Sequence, residues 1–106
     1  MSLYLIHCGF YDSSVFEGFF ENHANFFVIA NSFEDARKKA KLNSEFQKHK
    51  MHIDGIQEIK AIDGYKLHPK KDDAFKNQTI INSFKHRELA PSSRPPEMIL
   101  DMFPAY

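Results

Sequence analysis

Six side chains within the first 54 residues are candidates for metal binding or proton transfer. Imidazole, thiolate and carboxylate groups are the usual ligands of zinc and related ions, and imidazole also acts as a general base. Their spacing matches no established motif, since the chain has no Cys-x-x-Cys and no His-x-x-x-His on a predicted helix. The sequence therefore assigns no metal-ligand set and predicts no cofactor. The six residues are His7, Cys8, Glu21, His23, His52 and Asp54.

Three of these residues, His23, His52 and Cys8, are candidates for catalysis, and Glu21 would assist the two histidines. A small metal-dependent or histidine-dependent enzyme would use His23 and His52 together with Glu21, and it requires these side chains to converge in the fold. Cys8 is a candidate thiol nucleophile at the end of a predicted strand, with His23 or His52 as its base. A reactive thiolate needs a nearby cation or helix N-terminus to lower its pKa, and neither adjoins Cys8 in the sequence. A buried, inert cysteine is therefore the favoured interpretation.

The charges cancel overall but are unevenly distributed. The 106 residues include 14 bases and 14 acids, yet residues 1–36 contain five acids and no Lys or Arg. Residues 37–87 contain 13 bases and six acids, a net charge of +7. The zero total argues against a generally basic nucleic-acid binder, although the Lys-rich middle leaves a nucleic-acid-associated protein as an alternative. Four scattered glycines exclude a phosphate-binding loop.

The compartment follows from cysteine usage and from the length of the apolar segments. One cysteine cannot form a disulfide within the chain, which favours a reducing cytoplasm. No apolar run is long enough to span a bilayer, and the N-terminus lacks the charged region of a signal peptide. We therefore expect a cytoplasmic protein without a membrane partner.

The elements that would position the candidates form a small α+β domain. Residues 3–8 alternate as a strand, whereas the apolar run 25–31 predicts a strand buried on both faces and central in its sheet. Ser32, with Asp35 three residues later, predicts the N-terminus of the main helix, 32–42. The expected fold is a single-layer antiparallel or mixed sheet with this helix packed on one face. The remaining strands are predicted near 56–62 and 65–68, with another near 50–53.

Two Asp-Gly pairs, at 54–55 and 63–64, each predict a tight hairpin turn. Together they predict a three-stranded meander whose apolar face carries Met51, Ile53, Ile56, Ile62, Tyr65 and Leu67. The isoleucines at 53, 56, 59 and 62 recur every third residue, which fits neither a strand nor a helix. Either a bulge within 56–62 interrupts the strand, or the first Asp-Gly is not a hairpin turn.

The other segments are less regular. Residues 10–24 are predicted to be a loop with at most one helical turn. Residues 1–70 are expected to form the domain and residues 71–106 an extended C-terminal arm, with a strand or helix within 74–87 and a short helix after Pro96. A single-layer sheet leaves an apolar face open, and the chain has 11 Phe, so a homodimer is the expected assembly.

Five segments resemble the bacterial domain of unknown function 1543 family, over about residues 3–68. The resemblance implies a bacterial cytoplasmic protein with a small α+β domain and transfers no activity. The segments are residues 7–12, 21–28, 32–36, 51–56 and 63–65.

The shared segments contain polar residues that a core does not need. We interpret these as candidates for ligand binding, and a non-enzymatic protein-binding or ligand-binding module is the leading hypothesis for the function. The candidates are His7, Glu21, His23, Asn25, His52 and Asp54.

Overall fold

The central strand of the sheet, β1 (Ser2–Tyr11), pairs with an antiparallel strand on each side. The computed structural model describes residues 1–14 and 16–85, and in it the neighbours of β1 are β2 (Glu21–Ala30) and β3 (His52–Ile59). Tyr4 and Ile6 of β1 are buried on one face together with Cys8. The predicted alternation of this strand is therefore confirmed.

One face of the sheet is covered by the helix α1 (Phe33–Lys41), which is followed by the short helix α2 (Ser44–Lys48). Ala36 and Ala40 of α1 are fully buried in the cluster that includes Tyr4 and Ile6. The Phe33 ring meets the Tyr4 ring edge to face, with centroids 5.2 Å apart. We call this side of the sheet the core face, and the side with the opposite alternate residues the open face.

The start of α1 has the hydrogen bonds that its sequence predicts. Ser32 Oγ accepts the Asp35 backbone N–H at 3.0 Å, and the Asp35 carboxylate accepts the Asn31 backbone N–H at 3.0 Å. Lys39, one turn along, lies 3.6 Å from Asp35 and donates to the Ile29 carbonyl at 2.6 Å. The helix predicted over 32–42 is confirmed, and these bonds tie its first turns to the end of β2.

Two predictions about the front of the chain are wrong. The apolar run 25–31 does not form the central strand, because β2 lies at the edge of the sheet and its residues alternate between more and less exposed positions. The loop predicted over 10–24 is shorter, since β1 extends to Tyr11 and β2 already begins at Glu21. A short 3-10 turn lies at Phe16–Gly18, but Glu17 within it has left-handed backbone angles (φ 56°), so it is not a regular helical turn. Glu21 and His23 thus belong to a strand.

The first Asp-Gly pair is a bulge and not a hairpin turn. β3 continues through Asp54 and Gly55 as one strand, so the separate strands predicted near 50–53 and 56–62 are wrong. The pairing with β1 shifts here, because His7 lies opposite Gly55 and Cys8 lies opposite Ile53. The extra residue is Asp54, and it explains why Ile53 and Ile56 both pack against the core although three positions separate them.

The second Asp-Gly pair forms the predicted turn, between β4 (Ala61–Ile62) and β5 (Tyr65–Lys66). Asp63 and Gly64 have φ of 54° and 84°, as a two-residue hairpin turn requires. Ile62 lies opposite Tyr65 across this turn, but these side chains are 51% and 76% exposed. Their predicted place in the core is therefore wrong.

The chain divides into two units, residues 1–71 and 72–106. In the second unit, a 3-10 turn at Asp73–Phe75 is capped by Asp72, and residues 79–84 form no strand. The helix predicted after Pro96 lies outside the described residues. The fold class is confirmed as a small antiparallel sheet with one main helix on one face. No helix in the described part of the chain is long and apolar enough to cross a membrane.

The Asp35 carboxylate makes the stability of α1 depend on pH. The Asn31 backbone N–H donates to the Asp35 carboxylate and holds its pKa below the usual value. Partial desolvation raises this pKa, whereas the positive charge of nearby Lys39 lowers it further. Because the folded pKa is depressed, the stabilisation is present above the unfolded pKa of about 3.9 and is lost as pH falls through the folded pKa.

We therefore expect Asp35→Asn to lower the melting temperature at pH 7, and the difference from wild type to disappear at strongly acidic pH. Thermal unfolding followed by circular dichroism over a pH series checks this. Glu34→Gln, in the same turn, is the control, because Glu34 is 81% exposed and pairs with Lys38 only at 3.8 Å. A pH-independent Asp35→Asn difference would contradict the expectation.

Candidate functional site

Five polar side chains from all three strands meet on the open face. We call them the His-carboxylate cluster. They connect through ion pairs, hydrogen bonds and one ring stack, and they link β1, β2 and β3 across the whole width of the sheet. The members are His7 of β1, Glu21 and His23 of β2, and His52 and Asp54 of β3.

Strand register brings the five together. Gly9 of β1 lies opposite His23 on one side and His52 on the other, so these two histidines flank a position without a side chain. His7 and Glu21 extend the cluster along the strands in opposite directions from Gly9, since Glu21 lies opposite Tyr11. The bulge in β3 adds Asp54 to the same face.

One end of the cluster is centred on the His52 ring. Its Nε2 lies 2.8 Å from Glu21 Oε1 and 3.1 Å from Asp54 Oδ1. A single ring nitrogen therefore faces two carboxylate oxygens at once. Such a site holds either a shared proton on the imidazole or a cation between the three atoms.

The other end of the cluster is formed by two histidines. The rings of His7 and His23 stack with centroids 5.1 Å apart and planes 7° apart. His23 Nδ1 lies 3.5 Å from Asp54 Oδ2. His7 Nδ1 lies 2.7 Å from the Asn25 amide oxygen, which can only accept, so Nδ1 carries the proton. In the neutral ring, the other nitrogen of His7, Nε2, then keeps a lone pair.

Gly9 is required by the close approach of the cluster to the backbone. A Cβ at this position would clash with Glu21 Oε1 and lie 2.7 Å from His52 Nε2 and 2.9 Å from Asp54 Oδ2. These three polar groups converge on the space that a side chain at Gly9 would occupy.

The cluster is accessible to water. The side chains of His23 and His52 are 49% exposed, and those of Asp54 and Glu21 are 33% and 32% exposed. A shallow groove of about 300 Å³ adjoins the cluster and is lined by Leu5, His7, Asn25, Asp54, Gly55 and Gln57. Ligands thus have direct access from solvent.

Cys8 lies on the core face, away from the cluster. It is fully buried, and burial raises the pKa of its thiol, with a further contribution from the negative charge of Asp54. Both effects favour the protonated form, which is a poor nucleophile. The geometry brings the candidates His23 and His52 together and leaves the candidate Cys8 out.

The arrangement suits a divalent metal ion. Within the described residues, His7, His23 and Asp54 form one group whose ligand atoms lie within 4.8 Å of one another, and Glu21, His52 and Asp54 form another. Nitrogen and oxygen ligands about 2.0–2.1 Å from a metal lie about 2.8–3.0 Å from each other at octahedral angles and about 3.3–3.4 Å at tetrahedral angles. The distances of 2.8 and 3.1 Å around His52 Nε2 are close to that spacing.

All six residues predicted as ligand-binding candidates lie in or beside this cluster, since Asn25 holds His7. Sequence reasoning did not identify Gly9 as part of the site. The signal for it was Gly9 within an alternating strand, where a glycine often marks close approach of another group.

Residues 18–68 match the family model of the Domain of Unknown Function (DUF1543), which confirms the predicted resemblance over that range. The match contains every member of the cluster except His7. No curated protein matches the chain, and no solved structure does.

The role of Gly9 can be tested with the single substitution Gly9→Ala. The added methyl group would displace the ends of three flexible side chains, so we expect the free energy of unfolding to change by less than about 1 kcal/mol. The imidazole NMR signals of His52 and His23 should shift, whereas those of the exposed His68 should stay. Unchanged cluster signals, or an unfolded variant, would contradict this role of Gly9.

Proposed function

We propose that this chain is a non-enzymatic module that binds a divalent transition-metal ion through the His-carboxylate cluster. The observation that carries the proposal is the position of Asp54, whose carboxylate faces an imidazole from β2 and another from β3. Imidazole with carboxylate is the donor set of Zn²⁺ and of similar ions such as Co²⁺ and Ni²⁺. Metal ligands are bound in deprotonated form, so such an ion would replace the shared proton at His52.

Asn25 supports the proposal from outside the ligand set. Histidine ligands commonly donate their second ring nitrogen to an oxygen acceptor, which fixes the tautomer and the orientation of the ring. The hydrogen bond from His7 Nδ1 to Asn25 Oδ1 has this form. This hydrogen bond orients the His7 ring through Nδ1 and does not involve Nε2.

Binding is favoured over catalysis because the cluster is half exposed. An enzyme site usually excludes water around the reacting atoms, whereas His23 and His52 keep 49% of their side-chain surface exposed. The convergence of Glu21, His23 and His52 does meet the geometric requirement of the alternative, a metal-dependent or histidine-dependent enzyme. That alternative would need a substrate that itself covers the open face.

The Lys-rich middle gives less support to a nucleic-acid partner. Lys38, Lys39 and Lys60 each lie 3.6–3.8 Å from a carboxylate of the same chain. The pairs of Lys38 and Lys39 are i,i+4 contacts that stabilise the helix carrying them. We retain the bacterial cytoplasm as the proposed location, on the basis of the single cysteine and the resemblance.

The other half of the open face is apolar, and this supports a homodimer as the proposed assembly. Leu3 and Leu5 of β1 point to this face, between Ile29 and Phe27 of β2 on one side and Ile59 of β3 on the other. Phe27 and Ile29 are 43% and 39% exposed. A second copy packed there would remove this surface from water.

For the dimer, we expect light scattering to give twice the chain mass of 12.4 kDa, and Phe27→Ser to shift the protein to monomer. A stable interface buries more than about 1,000 Å², so removing a central aromatic side chain should weaken it strongly. Phe75→Ser is the control, because Phe75 is 50% exposed and lies outside this sheet. A monomeric wild type at high concentration would refute the dimer.

For the metal site, we expect the untagged, chelator-treated chain to bind Zn²⁺ in calorimetry and Co²⁺ with visible absorption bands. His52→Ala should weaken Zn²⁺ binding at least about tenfold, because it removes a ligand. His68→Ala, which removes an exposed histidine outside the cluster, should leave the affinity unchanged. Absence of binding, or an equal loss in both variants, would refute the proposed function.

A further inference from the structure

The metal-binding side chains of the cluster form two groups that share one residue. His7 and His23 form the first with Asp54, and Glu21 and His52 form the second, again with Asp54. The shared carboxylate turns a different oxygen to each group: Oδ2 lies 3.5 Å from His23 Nδ1, and Oδ1 lies 3.1 Å from His52 Nε2.

We propose that the His-carboxylate cluster binds two divalent metal ions, bridged by the Asp54 carboxylate. This inference rests on the proposed function and specifies its site. One ion would lie between His7, His23 and Asp54 Oδ2, and the other between Glu21, His52 and Asp54 Oδ1. A ring nitrogen binds a metal in the plane of its ring, so His23 would turn out of its parallel stack with His7 to bind the first ion. Ions that share a bridging group in this way are about 3.5–4 Å apart.

The length of the cluster along the strands favours two ions over one. His7 and the residue opposite Glu21, Tyr11, are four positions apart on β1. At about 3.4 Å per residue, four positions correspond to about 14 Å of strand. The Glu21 carboxylate reaches back over Gly9, so the ligand atoms lie closer together than this, but the hydrogen bond to Asn25 holds the His7 ring at the opposite end of the cluster. Two ions, each bound at its own end, need only Asp54 in common.

Charge and access determine what else the two ions bind. Glu21 and Asp54 together contribute two negative charges, against four positive charges on two divalent ions. Each ion has three protein ligands, so its remaining positions take water, hydroxide or an anion from solvent. The exposure of the cluster gives such groups direct access.

Metal-to-chain stoichiometry tests the inference on the full-length, untagged protein. We expect two equivalents of Co²⁺ per chain for wild type, with the assembly mass measured by light scattering so that ions shared between chains are recognised. His23→Ala and His52→Ala should each retain one equivalent, because each removes a ligand of one ion. Asp54→Asn should weaken both equivalents, and His68→Ala should retain two.

Electron paramagnetic resonance adds a measurement that depends on the distance between two bound Co²⁺ ions and not only on how tightly each ion binds. Two bridged Co²⁺ ions couple magnetically, so the doubly loaded wild type should differ from the sum of the spectra of His23→Ala and His52→Ala. Circular dichroism of each variant confirms that the exposed substitutions leave the fold intact.

A wild type that binds one equivalent per chain would overturn the two-ion site and leave the proposed function standing. Complete loss of binding in both His23→Ala and His52→Ala would also overturn it, because it would indicate one ion with ligands from both groups. A wild type that binds no Co²⁺ would refute the proposed function and the two-ion site together.

Discussion

The pairing of β1 with a strand on each side is the constraint on which the rest of the molecule depends. A strand paired on both edges has a fixed register, and its alternate side chains must point to opposite faces. Tyr4, Ile6 and Cys8 are thereby committed to the core, and His7 and Gly9 to the open face. Helix α1 covers only one face, so the polar residues that follow this alternation gather on the other.

The bulge in β3 adjusts that alternation where the cluster needs it. Without the extra residue, a strand that buries Ile53 would present Ile56 to the open face. With it, Ile53 and Ile56 both remain on the core face while His52 and Asp54 reach the open face together. The bulge therefore serves the core and the cluster at the same time. It also explains why the isoleucines recur at an interval that no regular element has.

Local signals predicted the parts of this fold that depend on neighbouring residues. Ser32 and Asp35 identified the start of α1, Asp63-Gly64 identified its turn, and the alternation of β1 assigned its faces. The errors concern partners distant in sequence, since the apolar run of β2 belongs to an edge strand. The residues around Asp54-Gly55 likewise left open whether this pair forms a second turn. Every ligand candidate could be identified from its residue type in the sequence. Only the register of the three strands shows that these side chains meet. The acids of residues 1–36 do meet the basic middle of the chain, because Glu34 and Asp35 pair with Lys38 and Lys39 along α1.

Each strand places alternate side chains on two faces, so the residues that stabilise the fold are separate from the residues that form the cluster. The side chains that form the cluster contribute no volume to the buried set of Tyr4, Ile6, Cys8 and three alanines. Substitutions on the open face can therefore alter, enlarge or abolish the chemistry while the scaffold stays nearly as stable as before. In evolutionary terms, the same small scaffold can acquire new specificity or lose its activity through changes on one side of the sheet alone.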